Sequence, residues 1–252
     1  MTTDTFAKYF GVSFTVGDSE VRIGGIAKGS GMIEPNMATM LAFLTTDASI
    51  DQPVLQRAFY SVVSQTFNRI SVDGDTSTND MATLLANGAS NTPKIQFGTP
   101  EYELFYEGLL KVTTELAKMI ARDGEGATKL IEIEVAGAET EDEAQKVARA
   151  VANSNLVKTA IHGEDPNWGR IIAAIGYSGI DLDPGVVELS LNNFPILGKQ
   201  YQIMIDEIPV QHSLASKDIL LSINLNRGNS TARFWTCDLT KEYVTINASY
   251  RS

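Results

Sequence analysis

Cysteine is nearly absent: Cys237 stands alone in 252 residues. One thiol can form neither an internal disulfide nor a Cys-based zinc cluster within the chain. The two histidines, His162 and His212, are too few and too far apart in sequence for a metal motif, and both read as surface or structural residues. Positive charge is short as well. Twenty Lys plus Arg face 31 Asp plus Glu, a net charge of −11, which is the wrong sign for gripping a nucleic-acid backbone or an anionic membrane. Long apolar runs are missing: the longest nearly apolar run, from Met37 to Leu44, contains a threonine and is far below the ~18 residues of a membrane span. The first residues, Met1 to Phe6, offer neither a basic head nor an apolar stretch, so no signal or transit peptide is expected. No repeat period or low-complexity tract is visible. What remains is a soluble, cytoplasmic globular protein, whose 43% hydrophobic residues suffice for one large domain or two small ones.

Hydropathy period supplies the elements. Asp51 followed by Pro53 opens a helix in which Val54, Leu55, Ala58, Phe59, Val62, Val63, Phe67 and Ile70 recur at about 3.6-residue spacing. A second helix follows Pro100, with Tyr102, Phe105, Leu109, Val112, Leu116, Met119 and Ile120 on one stripe and Gly124 as its stop. Ile131, Ile133 and Val135 alternate with Glu132 and Glu134, the period of a half-buried strand. Thr140 and Glu143 form a capping box before a third helix through Ala144, Val147, Ala148 and Val151. Beyond about residue 185, Val187–Leu191, Ile219–Leu225, Ala232–Cys237 and Tyr243–Ala248 are β-rich runs broken by Asn, Gly and Pro. The pattern predicts an α/β fold of mixed sheets layered with helices. Helices are expected to be dense in the first two-thirds and strands in the last third. No clear linker divides the chain, which favours one compact unit.

Two adjacent stretches can carry chemistry. In Gly24-Gly25-Ile26-Ala27-Lys28-Gly29-Ser30-Gly31, turn-permissive glycines surround a lysine able to meet an anion. The stretch has neither P-loop nor dinucleotide-fold spacing, and on its residues alone it reads as an ordinary glycine turn. Pro35-Asn36 then punctuates a loop before an apolar run, with Ala38-Thr39 at the junction. If the Thr39 hydroxyl attacks the carbonyl of Ala38, an N-to-O acyl shift and hydrolysis leave Thr39 as a new amino terminus. Its α-amine, with a reference pKa near neutrality, can then activate its own hydroxyl. A single Ala-Thr pair, taken alone, reads instead as the start of a strand.

Context changes that reading. RIGGIAKGSGMIEPNMATMLAFLTTDA at 22–48, together with MTTDTF at 1–6, DGDTSTND at 73–80, DGEGATK at 123–129, GEDPNWGRI at 163–171 and CDLTKEYVTINASYRS at 237–252, resembles the ornithine acetyltransferase (glutamate N-acetyltransferase) family of arginine biosynthesis. The motifs run in family order over essentially the whole chain. The resemblance implies a self-cleaving N-terminal-nucleophile acyltransferase fold and a cut between Ala38 and Thr39. Residues 1–38 then form the carboxyl-terminal end of an α segment, and residues 39–252 a β segment beginning with the nucleophile. It also implies a further upstream part of the α segment, a second αβ pair and a heterotetramer. The family's oxyanion donors lie in that upstream part. Such a donor can be worth a few kcal/mol of barrier, so this chain alone is expected to cleave or acetylate poorly.

Carried over by position, the resemblance makes Thr39 the nucleophile that receives the acetyl group, and Thr5 and Lys28 substrate contacts. Glu125 meets the side-chain amino group of the substrate, and Asn247 and Ser252 close the pocket. These roles suit an amino-acid substrate, whose carboxylate is met by a lysine or hydroxyls and whose second amine is met by a glutamate. Without the resemblance, Lys28 and Glu125 would be solvated loop charges and Asn247 a strand residue. The implied activity moves acetyl from N-acetylornithine to glutamate, releasing ornithine, with no metal and no nucleotide cofactor. Some relatives also take acetyl-coenzyme A as co-substrate, and no motif here decides that point. Two other readings are a related self-processing amidase or aminopeptidase, in which water resolves the acyl-enzyme, and a non-catalytic amino-acid-binding fragment.

The remaining conspicuous residues point elsewhere. Asp73, Asp75 and Asp80 suggest a cation loop but lack the EF-hand order. The 165–170 stretch is expected to turn into a helix from Ile171 to Tyr177 with Trp168 buried, and Cys237 to be a small core residue.

Overall fold

The computed structural model describes residues 3–34 and 40–249. Their contacts resolve into two compact units, one running up to Ile70 and resuming over Asp75–Asp123, the other made of Ser71–Gly74 and the chain from Gly124 onward. The single unit expected from the sequence is thereby corrected. Each unit has its own sheet and its own helices, and the chain passes from Asp123 to Gly124 with no Pro- or Ser-rich linker to mark the boundary.

In the first unit, strands β1 (Lys8–Val16), β2 (Ser19–Lys28), β3 (Leu41–Thr46) and β4 (Met81–Ala86) form one sheet in that order. β1, β2 and β3 are antiparallel neighbours, and β4 runs parallel to β3. The sequence reading puts strands mainly in the last third of the chain and misses β1, β2 and β4. Glycines at 11, 24 and 25 dilute the strand signal, yet one of them is there for packing. A Cβ on Gly25 would lie 2.9 Å from the Leu116 side chain and 3.0 Å from Leu44, so β2 approaches its covering helix more closely than any side chain permits.

Helix α2 (Pro100–Arg122) covers the sheet at β1 and β2, and helix α1 (Gln52–Gln65) packs against α2. α1 ends before the predicted Ile70, with Phe67–Arg69 in a 3-10 turn. α2 follows the predicted stripe, burying Phe105, Leu109, Val112, Leu116 and Ile120 completely. Its Thr99 side chain accepts the Tyr102 N–H. A cap of that kind contributes about 1 kcal/mol, whereas each buried Leu, Ile or Phe contributes about 1.5–3 kcal/mol. The stripe, not the cap, therefore holds α2. On the other face of the sheet, Tyr9, Ile26 and Phe43 stand opposite one another across three strands and are exposed.

The second unit contains β5 (Leu130–Ala138), α3 (Glu141–Ala152), α4 (Asn155–His162), α5 (Trp168–Gly176), β6 (Glu188–Leu191), β7 (Phe194–Gly198), β8 (Gln202–Ile203), α6 (Glu207–Leu214), β9 (Asp218–Asn224), β10 (Ser230–Cys237) and α7 (Lys241–Ser249). The strands form a mixed sheet ordered β10-β5-β9-β6-β7-β8, in which only β5 and β9 are parallel. Ile131, Ile133 and Val135 point into a core shared with Ala144, Val147, Ala148 and Val151 of α3, as their alternation predicts. The capping box forms by half: the Thr140 hydroxyl accepts the Glu143 N–H, while the Glu143 carboxylate takes the N–H of Glu139 rather than that of Thr140. Helix α5 begins earlier than predicted, and Trp168 is half-buried against the core.

The carboxyl-terminal run Tyr243–Ala248, predicted as β, is the helix α7. Its β-branched residues suggest a strand, but propensity is a weak prior. The Thr240 hydroxyl accepts the Glu242 N–H at 3.1 Å and opens the helix, and the half-buried positions are Tyr243 and Ile246, spaced as on a helix face.

Candidate active site

In the first unit, three chain segments meet at one end of the sheet. Lys28, the last residue of β2, stands opposite Leu41, the first of β3. Leu41 in turn stands beside Met81, and the Met81 N–H donates to the Met40 carbonyl at 3.0 Å. The connection containing Ala38 and Thr39 joins these strand ends, and both residues lie outside the described ones. Gly24 and Gly25 are strand residues, which corrects the expectation of a glycine turn across the whole stretch; the turn begins only at Gly29, with φ 149°.

Thr5 is anchored at this end of the sheet. Its N–H reaches the Asp123 carboxylate at 3.0 and 3.2 Å, and its hydroxyl donates to the same group. Lys8 Nζ lies 2.5 Å from Asp123 and 2.7 Å from Asp4, and the side chains of all three are essentially inaccessible. Asp4 also accepts the Gly29 N–H at 2.8 Å, so the residues adjoining Thr5 and Lys28 are tied directly together. Burial works to raise the Asp4 pKa, but the Lys8 ammonium and the Gly29 N–H outweigh it and hold the carboxyl below its ordinary range. Thr3 shares a 2.6 Å hydrogen bond with Ser30. The hydroxyl of Thr5 is thus committed as a donor to Asp123, and what it can offer a ligand is an acceptor lone pair.

Lys8 and Asp123 were not singled out from the sequence, although a signal existed. Lys8 shares the strand parity of Phe10, Val12, Phe14 and Val16, so it falls on the inward side of an alternating pattern. Asp80, considered above only as part of a cation loop, immediately precedes β4. Burial pushes its carboxyl up to about 6, with the Met40 amide and the Lys28 charge pulling the other way. Among the described residues, no group of acids, histidines and cysteine is arranged to hold a metal ion.

In the second unit, Glu125 and Asn247 meet: the Asn247 side-chain amide donates to Glu125 Oε2 at 2.7 Å. The loop that carries Glu125 is fixed on both sides. Thr240 donates to the Gly126 carbonyl at 2.8 Å. The Asp238 carboxylate accepts the Thr128 and Lys129 N–H groups at 2.7 and 2.8 Å and lies 2.9 Å from His162 Nδ1, giving that histidine a structural partner. A carboxylate half-buried on such a fixed loop can meet an ammonium with its second oxygen. Ser252 lies outside the described residues.

Gly126 sets this arrangement. It has φ 71°, and a Cβ there would stand 2.6 Å from the Tyr243 backbone nitrogen. Gly126→Ala is therefore expected to cost about 1–3 kcal/mol and to push α7 away from the Glu125 loop. Urea unfolding reads the cost. Loss of the Asn247–Glu125 hydrogen bond in a crystal structure of the variant checks the displacement.

The other conspicuous residues have structural duties. Cys237 is buried, and burial pushes its thiol pKa up against the pull of the Lys158 ammonium, the opposite of what a thiolate nucleophile needs. Arg170 donates to the Leu156 carbonyl at 2.9 Å and steadies the turn into α5. Among the described residues, no helix is long and apolar enough to cross a membrane.

Comparison with known proteins places these features in a family. The model of the ArgJ family matches residues 1–252. The arginine biosynthesis bifunctional protein ArgJ of Symbiobacterium thermophilum is 50% identical over 252 residues, covering 100% of this chain and 63% of that protein. The protein of the same name from Shouchella clausii is 48% identical, covering 100% of this chain and 62% of its own length. The crystal structure of arginine biosynthesis bifunctional protein ArgJ from Bacillus halodurans superposes with a TM-score of 0.80 at 46% identity, covering 82% of this chain and 98% of the crystallised one. The chain thus spans under two thirds of the length of these curated relatives, and its fold is the α/β fold of mixed sheets and helices seen in that crystal structure. A family match from the first residue to the last, with identities near one half and a shared fold, has one consequence: this chain belongs to the ArgJ family.

Proposed function

We propose that the protein is a glutamate N-acetyltransferase of arginine biosynthesis, moving acetyl from N-acetylornithine to glutamate through an acetyl ester on Thr39. The observation that carries this reading is the strand register. Lys28 ends β2 opposite Leu41, two residues after Thr39, which supports a cation near the nucleophile, in a protein whose relatives bear the name arginine biosynthesis bifunctional protein.

The chain first breaks its own Ala38–Thr39 bond. The Thr39 hydroxyl attacks the Ala38 carbonyl, the acyl group shifts from nitrogen to oxygen, and water hydrolyses the ester. The freed α-amine then serves as base for its own hydroxyl, since its reference pKa lies near neutrality. In the first half-reaction Thr39 Oγ attacks the acetyl carbonyl, the amide C–N bond breaks, and ornithine leaves with the proton. In the second, the glutamate amine attacks the ester and the threonine hydroxyl is restored. Amide becomes ester and then amide again, so no metal and no nucleotide is required, although acetyl-coenzyme A is admitted as an alternative donor. Water must be excluded while the ester stands. Lys28 and Thr5 take the substrate carboxylate, Glu125 takes its side-chain ammonium, and Asn247 with Ser252 closes the pocket.

The working protein is read as a cytoplasmic αβ pair doubled to a heterotetramer, with segments 1–38 and 39–252 on either side of the cut. One observation supports association. The exposed apolar row of Tyr9, Ile26 and Phe43 is a surface that association would cover.

Rapid quenching with acetyl-labelled N-acetylornithine, followed by peptide mass spectrometry, tests the assignment. One acetyl group on an amino-terminal Thr39 peptide is expected, and glutamate should discharge it as N-acetylglutamate. Label on any other residue, or release as free acetate regardless of glutamate, would defeat the reading.

A further inference from the structure

Glu125 stands on a turn that the sheet itself does not hold. β5 begins only at Leu130, where its ladder with β10 ends opposite Cys237. The Ala127 N–H donates to the Gly124 carbonyl at 2.8 Å, which makes Glu125 and Gly126 the central pair of a β-turn. Gly126, with φ 71°, takes the left-handed third position that favours glycine.

Side chains from beyond β10 secure this turn. Asp238 follows the last residue of β10, and its side chain has no solvent exposure. Its N–H donates to the Lys129 carbonyl at 3.2 Å. Its carboxylate collects the Thr128 N–H at 2.7 Å, the Lys129 N–H at 2.8 Å, the Thr128 hydroxyl at 2.5 Å and His162 Nδ1 at 2.9 Å. Thr240 then donates to the Gly126 carbonyl and accepts the Glu242 N–H that opens α7. One hydroxyl therefore holds the turn and starts the helix whose Asn247 reaches Glu125. A buried carboxylate is a costly anchor for a loop, and what this one secures is the direction of a single acidic side chain.

The two substrates give that direction a consequence. The side chain of N-acetylornithine ends in an ammonium. That of glutamate ends in a carboxylate, the same number of bonds from Cα. Both bring their α-nitrogen to one reacting centre, so both side chains reach for one place. An acid fixed there attracts the first and repels the second. An acid free to swing aside does neither.

We propose that Asp238 and Thr240 are positioning residues that set the charge selectivity of the site, holding Glu125 where it draws in the ornithine side chain. The proposal rests on the reading of Glu125 as the acceptor of the substrate ammonium and adds the residues that make this acceptor rigid.

In a two-step exchange, kcat/KM for each substrate reports its own half-reaction. In the assembled, active protein, Asp238→Asn and Thr240→Val are each expected to lower kcat/KM for N-acetylornithine about 10-fold, the scale of a charge-assisted hydrogen bond. The value for glutamate should change by about 2-fold or less. Thr240→Ser, which keeps the hydroxyl, should restore wild-type selectivity. Because Thr240 acts through Glu125, Thr240→Val should add nothing to the N-acetylornithine loss in a Glu125→Gln background, whereas a general loosening of the fold would add. Equal losses for both substrates, or additive losses in the double variant, overturn the proposal. A Glu125→Gln protein that uses N-acetylornithine as well as wild type removes the ammonium reading and this proposal together. A selective loss in Glu125→Gln with unchanged selectivity in the other two variants removes Asp238 and Thr240 alone. Should those variants fail to fold, hydrogen exchange of the wild-type protein decides. The Thr128 and Lys129 amides are expected to be protected before ornithine is added, and amides that exchange freely without it overturn the proposal.

Discussion

Replacing Thr39 by alanine is expected to leave the Ala38–Thr39 bond whole and to lower acetyl transfer by about four to six orders of magnitude, the scale seen when an enzyme loses its covalent nucleophile. Alanine has no oxygen for the acyl shift, so the bond cannot pass through an ester. Without scission there is no free α-amine, so the base is lost along with the nucleophile. Thr39→Ser keeps a hydroxyl at the same position and should still split and still transfer, at a reduced rate. Intact-mass measurement and a glutamate acetylation assay read both variants, and matching urea midpoints establish that each is folded. A Thr39→Ala protein that splits and transfers acetyl normally would remove Thr39 from the mechanism.

The second large effect is expected at Lys8. Its ammonium lies between Asp4 and Asp123, with all three side chains essentially inaccessible. Lys8→Met preserves much of the side-chain volume but leaves two buried carboxylates without their cation. Breaking a buried pair by removing one partner typically costs about 3–5 kcal/mol, a large fraction of the stability of a domain. A lower urea midpoint at unchanged slope would report it. The pH dependence supplies the sign. Asp4 is held below its ordinary range, so its contribution is fully present above that range and is lost as pH falls through the folded-state value. In Lys8→Met this contribution is absent at every pH. The stability gap between wild type and variant should therefore be widest at neutral pH and narrow below about pH 4. A gap that stays constant into acid would show that Lys8 acts through packing alone.

The elements legible in the sequence share one property: their period is supplied by side chains that pack within a few turns of one another. Helix α2 and strand β5 fall where their stripes and alternation put them, because burying one face decides both period and orientation. Helix α7 was misread for the complementary reason. Its residues are mostly exposed, so no burial pattern enforces a period and only the weak preference of β-branched residues was left to read. The strands of the first unit were hidden by glycines, whose purpose appears only when Leu116 is seen against Gly25.

The candidate site divides in the same way. Thr39, Lys28, Thr5, Glu125, Asn247 and Ser252 are candidates that the family motifs suggest, since those motifs sit in short contiguous stretches such as 22–48 and 123–129. Asp4, Lys8 and Asp123 were not so marked, since their meaning is relational and each is an ordinary charged residue when read alone.

From the residues by themselves came an acidic chain without disulfides or a membrane-spanning run, an α/β pattern, and an Ala-Thr bond set among family motifs. Only the tertiary structure decided that there are two packing units, that Asp123 is bound to Thr5 and Lys8 while Lys8 also holds Asp4, and that burial pushes the Asp80 carboxyl up. The reason is physical. Desolvation and ion pairing depend on distances between atoms far apart in sequence, and those distances exist only once both sides of the contact have folded.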